Sequence, residues 1–247
     1  MTNDWIDTSE GPFVAPKILD PHACVCDALD LFESGKVFVT FDLETTGRLN
    51  KEDINHRNPK GRVMQVAARR YERQANGTLK LTDEMNELIN EPTMTYLNPQ
   101  AFAAHGITLE DCYRKGLAPQ IVWRRFLDMC DGAILVGQNI LRFDIPFANR
   151  EIARHGFHEE LSFFDNIDML LVVRQVWNFE ENRLRALANL FKVKTDPSKD
   201  HDALSDIDTC WQVWQKIVTH DGMRAYKSRF IRPQPNQYSR VIKRIVF

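Results

Sequence analysis

Two carboxylates stand two residues apart in FDLETTG, Asp42 and Glu44, at the end of an apolar, β-branched run. Alternate side chains of a strand share a face, so both acids project together while Leu43 points into the core. Like charges held side by side are costly unless a cation joins them, which makes the pair a candidate cation site. An Asp-x-Glu pair alone is weak, because surface pairs of this kind are common. Its setting is more specific: the strand runs directly into Thr45-Thr46-Gly47, a tight turn expected to expose backbone N–H groups. Three further groups carry usable chemistry: Asp144 in GQNILRFD, Asp206 in HDALSDID, and His201 five residues before Asp206. Taken singly, each acid reads as a helix N-cap and His201 as a satisfied surface histidine. Cys24 and Cys26 beside His22 offer softer ligands. Residues two apart on a helix do not share a face, however, and no second ligand pair appears, so no thiolate metal site is read there.

The elements that must position these groups follow from local pattern. Asp20 as N-cap, Pro21 at N1 and Gly35 just past the end bracket a first helix. Residues 36–43 (KVFVTFDL) read as a buried central strand. Residues 48–61 are polar, with Asn50, Asn55, Asn58 and Pro59, and read as a long loop carrying Arg48, Lys51, Arg57 and Lys60. A second strand is expected over 63–73, and Asn76-Gly77 predicts a hairpin returning over 78–89. Helical pattern follows at 101–104 and 119–130, a short apolar strand at 133–137, a helix over 145–155 and a short strand at 163–167. Three more helical stretches are expected at 168–177, 183–191 and 205–220. Three opening strands followed by alternating strands and helices predict an α/β fold, a mixed β-sheet with helices on both faces. Residues 1–35 read as an N-terminal extension with a helix, 36–222 as the main domain and 223–247 as a basic C-terminal tail.

Taken together, FDLETTG, HGIT, GQNILRFD and HDALSD resemble the motifs of the DEDDh class of 3′→5′ exonucleases in the ribonuclease-H-like superfamily. That class includes proofreading exonuclease subunits, exonuclease I, the three-prime repair exonucleases, ribonuclease T and oligoribonuclease. The resemblance keeps the family's order and approximate spacing from about Val37 to His220. It implies Asp42, Glu44, Asp144 and Asp206 as metal ligands and His201 as general base. It further implies Thr45, Thr46, Gly47, Ile107 and Asn139 around the terminal nucleotide. NPQAFAAHGIT resembles the proofreading segment in which a Glu and a His contact substrate; those positions are Gln100 and His105, and Gln100 departs from the family's Glu. Gln138 stands where many relatives carry His. The spacing from Asn139 to Asp144 is closer to exonuclease I and the three-prime repair enzymes than to proofreading subunits. A sister class has Tyr four residues before the last acid; Asp202 is there, and His201 favours the His type.

The implied chemistry is consistent with the ligand types. Four hard oxygen donors without Cys suit Mg²⁺ or Mn²⁺, and two ions ~3.5–4 Å apart can clamp an in-line phosphoryl displacement. The expected activity is hydrolysis of phosphodiester bonds from the 3′ end of DNA, single-stranded by preference, with release of nucleoside 5′-monophosphates. The rival readings are an exoribonuclease on the same fold and a non-catalytic nucleic-acid-binding module. Proofreading and DNA repair are the pathways the resemblance brings with it.

Bulk properties agree with a globular enzyme. The chain has 247 residues, 43% hydrophobic and 27% charged, enough for one generous domain. The first ten residues include Asp4, Asp7 and Glu10 and no apolar stretch, so no signal peptide is expected, nor any membrane span. Five scattered cysteines argue for reduced thiols and a cytoplasmic location. The formal charge of −2 divides into +7 over residues 222–247 and −9 over residues 1–221. In that basic segment Tyr226, Phe230 and Tyr238 are interleaved with Lys and Arg, a composition suited to single-strand binding. The alternatives are a solvated, disordered tail and, at its end, RVIKRIVF as a strand added to a protein partner's sheet edge.

Overall fold

The computed structural model describes residues 21–48, 61–196 and 202–229. Asp20, His201, residues 49–60 of the polar loop and residues 230–247 of the tail lie outside the described residues.

The apolar run at 36–43 becomes β1 (Val37–Thr45). β2 (Val63–Arg73) and β3 (Leu79–Leu88) form the expected hairpin. Asn76 Oδ1 accepts from both the N–H and the hydroxyl of Thr78, at 3.0 and 2.7 Å, and Gly77 takes φ 84. β2 runs antiparallel to β1, with Ala67 opposite Asp42 and Gln65 opposite Glu44. β4 (Ile134–Gly137) pairs parallel with β1, and β5 (Ile167–Asp168) parallel with β4. The sheet order is β3-β2-β1-β4-β5.

Helices α1 (Pro21–Ser34), α2 (Pro99–His105), α3 (Leu109–Lys115), α4 (Pro119–Cys130) and α5 (Asp144–Arg154) come in that order. They are followed by α6 (Met169–Val176), α7 (Leu184–Leu190), α8 (Ala203–Thr219) and α9 (Asp221–Arg229). Strand alternation divides the core into two layers. Val39, Phe41 and Leu43 join Val66, Ala68 and Leu135 against Trp123 and Phe126 of α4 and Phe147 and Ile152 of α5. Phe38, Tyr71 and Val136 face the other way, onto α1, α6, α7 and α8. There Tyr71 stacks on Trp211 with ring centroids 4.3 Å apart. Helices on both faces of a mixed sheet are the expected ribonuclease-H-like arrangement. Among the described residues no helix is long and apolar enough to cross a membrane.

Three local outcomes differ from the sequence reading. The strand expected at 163–167 is only Ile167–Asp168. Asp165 adopts φ 58, and Asn166 uses its side chain instead of its backbone to meet β4, accepting from the Leu135 N–H at 3.0 Å. Helix α3 was not anticipated, although Thr108 and Asp111 form a capping box at its start. Helix α9 occupies the beginning of the basic tail: Met223 is 1% exposed and Tyr226 packs beside it on the second layer.

Because β1, β4 and β5 run parallel, their C-terminal ends lie along one edge of the sheet. Open α/β sheets present ligands there, where turns leave the strands and helices begin. Asp42 and Glu44 arrive from β1, Asn139 and Asp144 from the connection after β4, and Asp168 from the end of β5.

Candidate active site

Asp42 and Glu44 occupy the α8 face at the end of β1, both partly buried, while Leu43 between them is buried in the opposite layer. Ala67, directly across from Asp42, is small enough for Ala203 and Ile207 of α8 to pack on it. That contact lowers the first turn of α8, with Asp206, over the two acids. Asp202 caps the helix by accepting from the Ser205 N–H at 2.9 Å, so Asp206 is not needed as the cap.

Asp144 begins α5 and is 3% exposed. It does not act as N-cap; Phe143 holds that position without a side-chain bond. The Asp144 carboxylate accepts from the Leu43 N–H at 3.2 Å, which ties α5 to β1 between the two acids. Four carboxylates from three segments of the chain thus meet at one edge of the sheet.

Their electrostatics show the cost. Burial, and then Asp206, pushes Asp42 up from 3.8 to about 7. Burial, then Asp42 and Asp206, pushes Glu44 up from 4.5 to about 8. Asp144 is raised well above the ordinary carboxylate range by burial, then Asp42, with Asp168 adding less. No described cation offsets Asp42, Glu44 or Asp144. As the side chains stand, no group of three or more His, Cys, Asp or Glu among the described residues is arranged to hold a metal ion. A partly desolvated cluster of oxygen donors with excess negative charge fits hard divalent cations, which would relieve the repulsion.

The residues expected around the substrate lie at the end of β1 and in the turn after it, in and just after α2, and in the connection after β4. Thr46 is fully buried. Its N–H donates to the Arg62 carbonyl at 2.8 Å and its hydroxyl accepts from the Arg62 N–H at 2.9 Å. The Thr46 N–H, expected to be exposed, is therefore engaged. Thr45 Oγ1 donates to the Gly47 carbonyl at 3.0 Å. Gly47, at φ 154, lies where a Cβ would come within 3.2 Å of Asn98.

His105 is the last residue of α2. Its Nδ1 accepts from the Ile107 N–H at 3.0 Å, which places the proton on Nε2, 3.2 Å from the Thr45 carbonyl. Both ring nitrogens therefore organise the turn, and Ile107 packs with Met64, Met94 and Cys112 behind it. Gln100 is exposed; its N–H donates to Asn98 Oδ1 at 2.8 Å. Gln138 donates to the Asn182 carbonyl at 2.7 Å.

Three residues passed over in the sequence set the geometry. Asp168, 2% exposed, accepts from the N–H groups of Asn139 at 3.0 Å, Leu141 at 3.2 Å, Leu170 at 3.0 Å and Leu171 at 3.4 Å. It caps α6 and holds Asn139 at φ 66. Burial raises Asp168 to about 6 against these four hydrogen bonds. Its signal was an Asp immediately before the apolar run MLLVV. Arg62, 3% exposed, forks onto Glu151 at 2.8 and 2.9 Å, reaches Glu91 at 3.2 Å and donates to Thr93 at 2.8 Å. Glu151 belongs to α5, so Arg62 joins the helix of Asp144 to the Thr46 turn. No sequence pattern marks Arg62. Asn98, the third, caps α2 and donates its N–H to the Thr46 carbonyl at 2.8 Å; Asn before Pro was its signal.

The family model described as Exonuclease, of the RNase_T type, matches residues 39–214. The chain is similar to the PolC-type DNA polymerase III of Caldanaerobacter subterraneus subsp. tengcongensis, 26% identical over 187 residues, covering 73% of this chain and 11% of that protein. It is also similar to that of Lacticaseibacillus paracasei, 31% identical over 162 residues, covering 64% of this chain and 10% of that protein. The chain spans about a tenth of the length of these relatives. E. coli exonuclease I in complex with a dT13 oligonucleotide has a similar fold, with a TM-score of 0.61 at 21% identity, covering 78% of this chain and 43% of that one. Its complex with a dA16 oligonucleotide gives a TM-score of 0.60 at 20% identity, covering 78% and 42%.

Proposed function

This chain belongs to the exonuclease family of the RNase_T type, and from that premise we propose that it is a divalent-metal-dependent 3′→5′ exonuclease acting on DNA, single strands by preference. The observation that carries the reading is the meeting of Asp42, Glu44, Asp144 and Asp206, whose mutual repulsion no described cation offsets at the first three. A single acid has a structural explanation; this cluster destabilises the fold unless cations bind. Support for DNA comes from the relatives, DNA polymerases by name, and from exonuclease I, whose solved complexes contain dA16 and dT13 oligonucleotides.

Asp42, Glu44, Asp144 and Asp206 would hold two Mg²⁺ or Mn²⁺ ions, which supply Lewis acidity and lower the pKa of water. His201, directly before the α8 cap, takes the proton as a water oxygen attacks the phosphorus. The P–O3′ bond breaks, and its electron pair leaves on the 3′-oxygen of the preceding nucleotide, which then takes a proton. The released product is a nucleoside 5′-monophosphate. Thr45–Gly47, Ile107 and Asn139 border the terminal nucleotide, fixed from behind by His105, Arg62 and Asp168. Fixed walls of this kind lower the entropy lost in aligning the phosphate.

The test uses 5′-labelled DNA and RNA strands of one sequence, with free or blocked 3′ ends, in Mg²⁺. A DNA ladder shortening from a free 3′ end is expected, with slower loss of RNA and none from blocked ends. Cutting of covalently closed single-stranded circles would contradict the reading. Faster loss of RNA than of DNA would assign the same site to RNA.

A further inference from the structure

Helix α2 has an unusual place in the fold: none of its seven residues is buried. Local signals form it, with Asn98 as cap, Pro99 at its start and Gly106 at φ 70 beyond its end. Polar bonds to the catalytic turn hold it there. The Asn98 N–H meets the Thr46 carbonyl at 2.8 Å, and His105 Nε2 meets the Thr45 carbonyl at 3.2 Å. An element anchored to the end of β1 without packing into the core presents its surface beside the carboxylates.

That surface carries aromatic rings. Among the described residues the exposed aromatics are Tyr96, Phe102, Tyr113 and Phe164, and two of these four fall within 96–105. Phe102, 43% exposed, lies three residues from His105 on the helix, close enough in angle to border the side that meets Thr45. Tyr96, 48% exposed, precedes the Asn98 anchor by two residues. Both rings are thus tied by short chain segments to the turn that follows Asp42 and Glu44.

We propose that Phe102 and Tyr96 form a base-stacking platform for the substrate strand, taking nucleobases of any identity. The proposal rests on the nuclease reading of the carboxylate site and adds how the strand is gripped. Every base has a π-face, so aromatic stacking binds single strands without reading sequence. Double-stranded ends keep their bases stacked on each other, so the platform also favours single strands.

The experiment measures binding by fluorescence anisotropy in EDTA, and KM and kcat in Mg²⁺, for F102A, Y96A and F102W. The probes are a labelled oligo-dT strand and an equal-length strand whose last nucleotides are abasic. F102A is expected to weaken oligo-dT binding and raise KM about tenfold, a loss of about 1.4 kcal/mol, within the range for one stacked base. Y96A should act in the same direction, kcat should stay within about twofold, and F102W should restore wild-type values. The abasic strand should bind all variants alike. Phe102 is outside the core, so melting curves should not move. Unchanged affinity for oligo-dT, or an equal loss on the abasic strand, would overturn the platform. Tight oligo-dT binding by the wild type without cleavage would instead count against the catalytic reading.

Discussion

Replacing Asp42 with Asn tests the electrostatics of the carboxylate cluster without changing its shape. In the folded chain Asp42 rises from 3.8 to about 7, chiefly through burial and then through Asp206. The folded state therefore binds this proton more tightly than the unfolded state. The stability it contributes is fully present below about pH 4 and is lost as pH rises through about 7. Integrated over that window, the shift corresponds to ~4 kcal/mol. Glu44, raised to about 8 by burial and then by Asp42 itself, extends the loss upward. D42N removes the first contribution and relieves part of the second. In EDTA, urea melts should show wild type and variant alike near pH 4, and the variant more stable by ~2–4 kcal/mol at pH 8.5. In thermal melts that gain is on the order of 10 °C for a chain of this size. Mg²⁺ should reverse the order, because only the wild type keeps the full ligand set and gains by linkage. Equal pH slopes for the two proteins in EDTA would refute the reasoning.

His201→Ala should slow single-turnover cleavage roughly 10²–10⁴-fold, the range for a lost general base, with metal affinity by calorimetry near wild type. A large loss of metal binding would make the imidazole a ligand instead. Glu151→Ala leaves the buried Arg62 guanidinium with a weaker set of partners and should cost about 3–5 kcal/mol in denaturant melts. A loss below 1 kcal/mol would show that Arg62 does not depend on the fork. Truncation after Arg229 keeps Met223 and Tyr226 in place and removes Arg232, Arg240, Lys243 and Arg244. If these track phosphates, the log–log salt dependence of DNA binding should flatten by at most ~3. An unchanged slope and affinity would assign the segment to a protein partner or to neither role.

Much of this site was legible because a strand's alternation is rigid. VFVTFDLET has one apolar set, and that set dictates that Asp42 and Glu44 emerge on the other face. β2 and α4 were equally plain, since each runs between clear breakers, Gly61 and Asn76-Gly77 around the strand and Pro119 and Gly132 around the helix. The grouping of Asp144 and Asp206 with the strand pair came from motif resemblance. Spacing alone left both as N-caps, and only the structure shows that Phe143 and Asp202 hold those positions. Arg62 was illegible for a physical reason: a buried arginine is specified by distant carboxylates on α5 and after β3, not by its neighbours. Asp168 was half legible, as a helix start; its hold on Asn139 is a contact between segments 29 residues apart. The β5 boundary failed because Asn166 replaced backbone pairing with a side-chain bond, and β propensity does not report that substitution.

On the proposed function, the carboxylates ending β1, together with Asp144 and Asp206, would hold the metal ions that cleavage requires. The direct measurement is nucleotide release from a 5′-labelled single strand by wild type and by the Asp42→Ala, Glu44→Ala double variant, in Mg²⁺, Mn²⁺ and EDTA. Circular dichroism on the same samples establishes that both are folded. Stepwise shortening by the wild type is expected in either metal, with none in EDTA and none by the folded double variant in any condition. Turnover by the double variant in Mg²⁺ or Mn²⁺, or by the wild type in EDTA, would contradict that proposal.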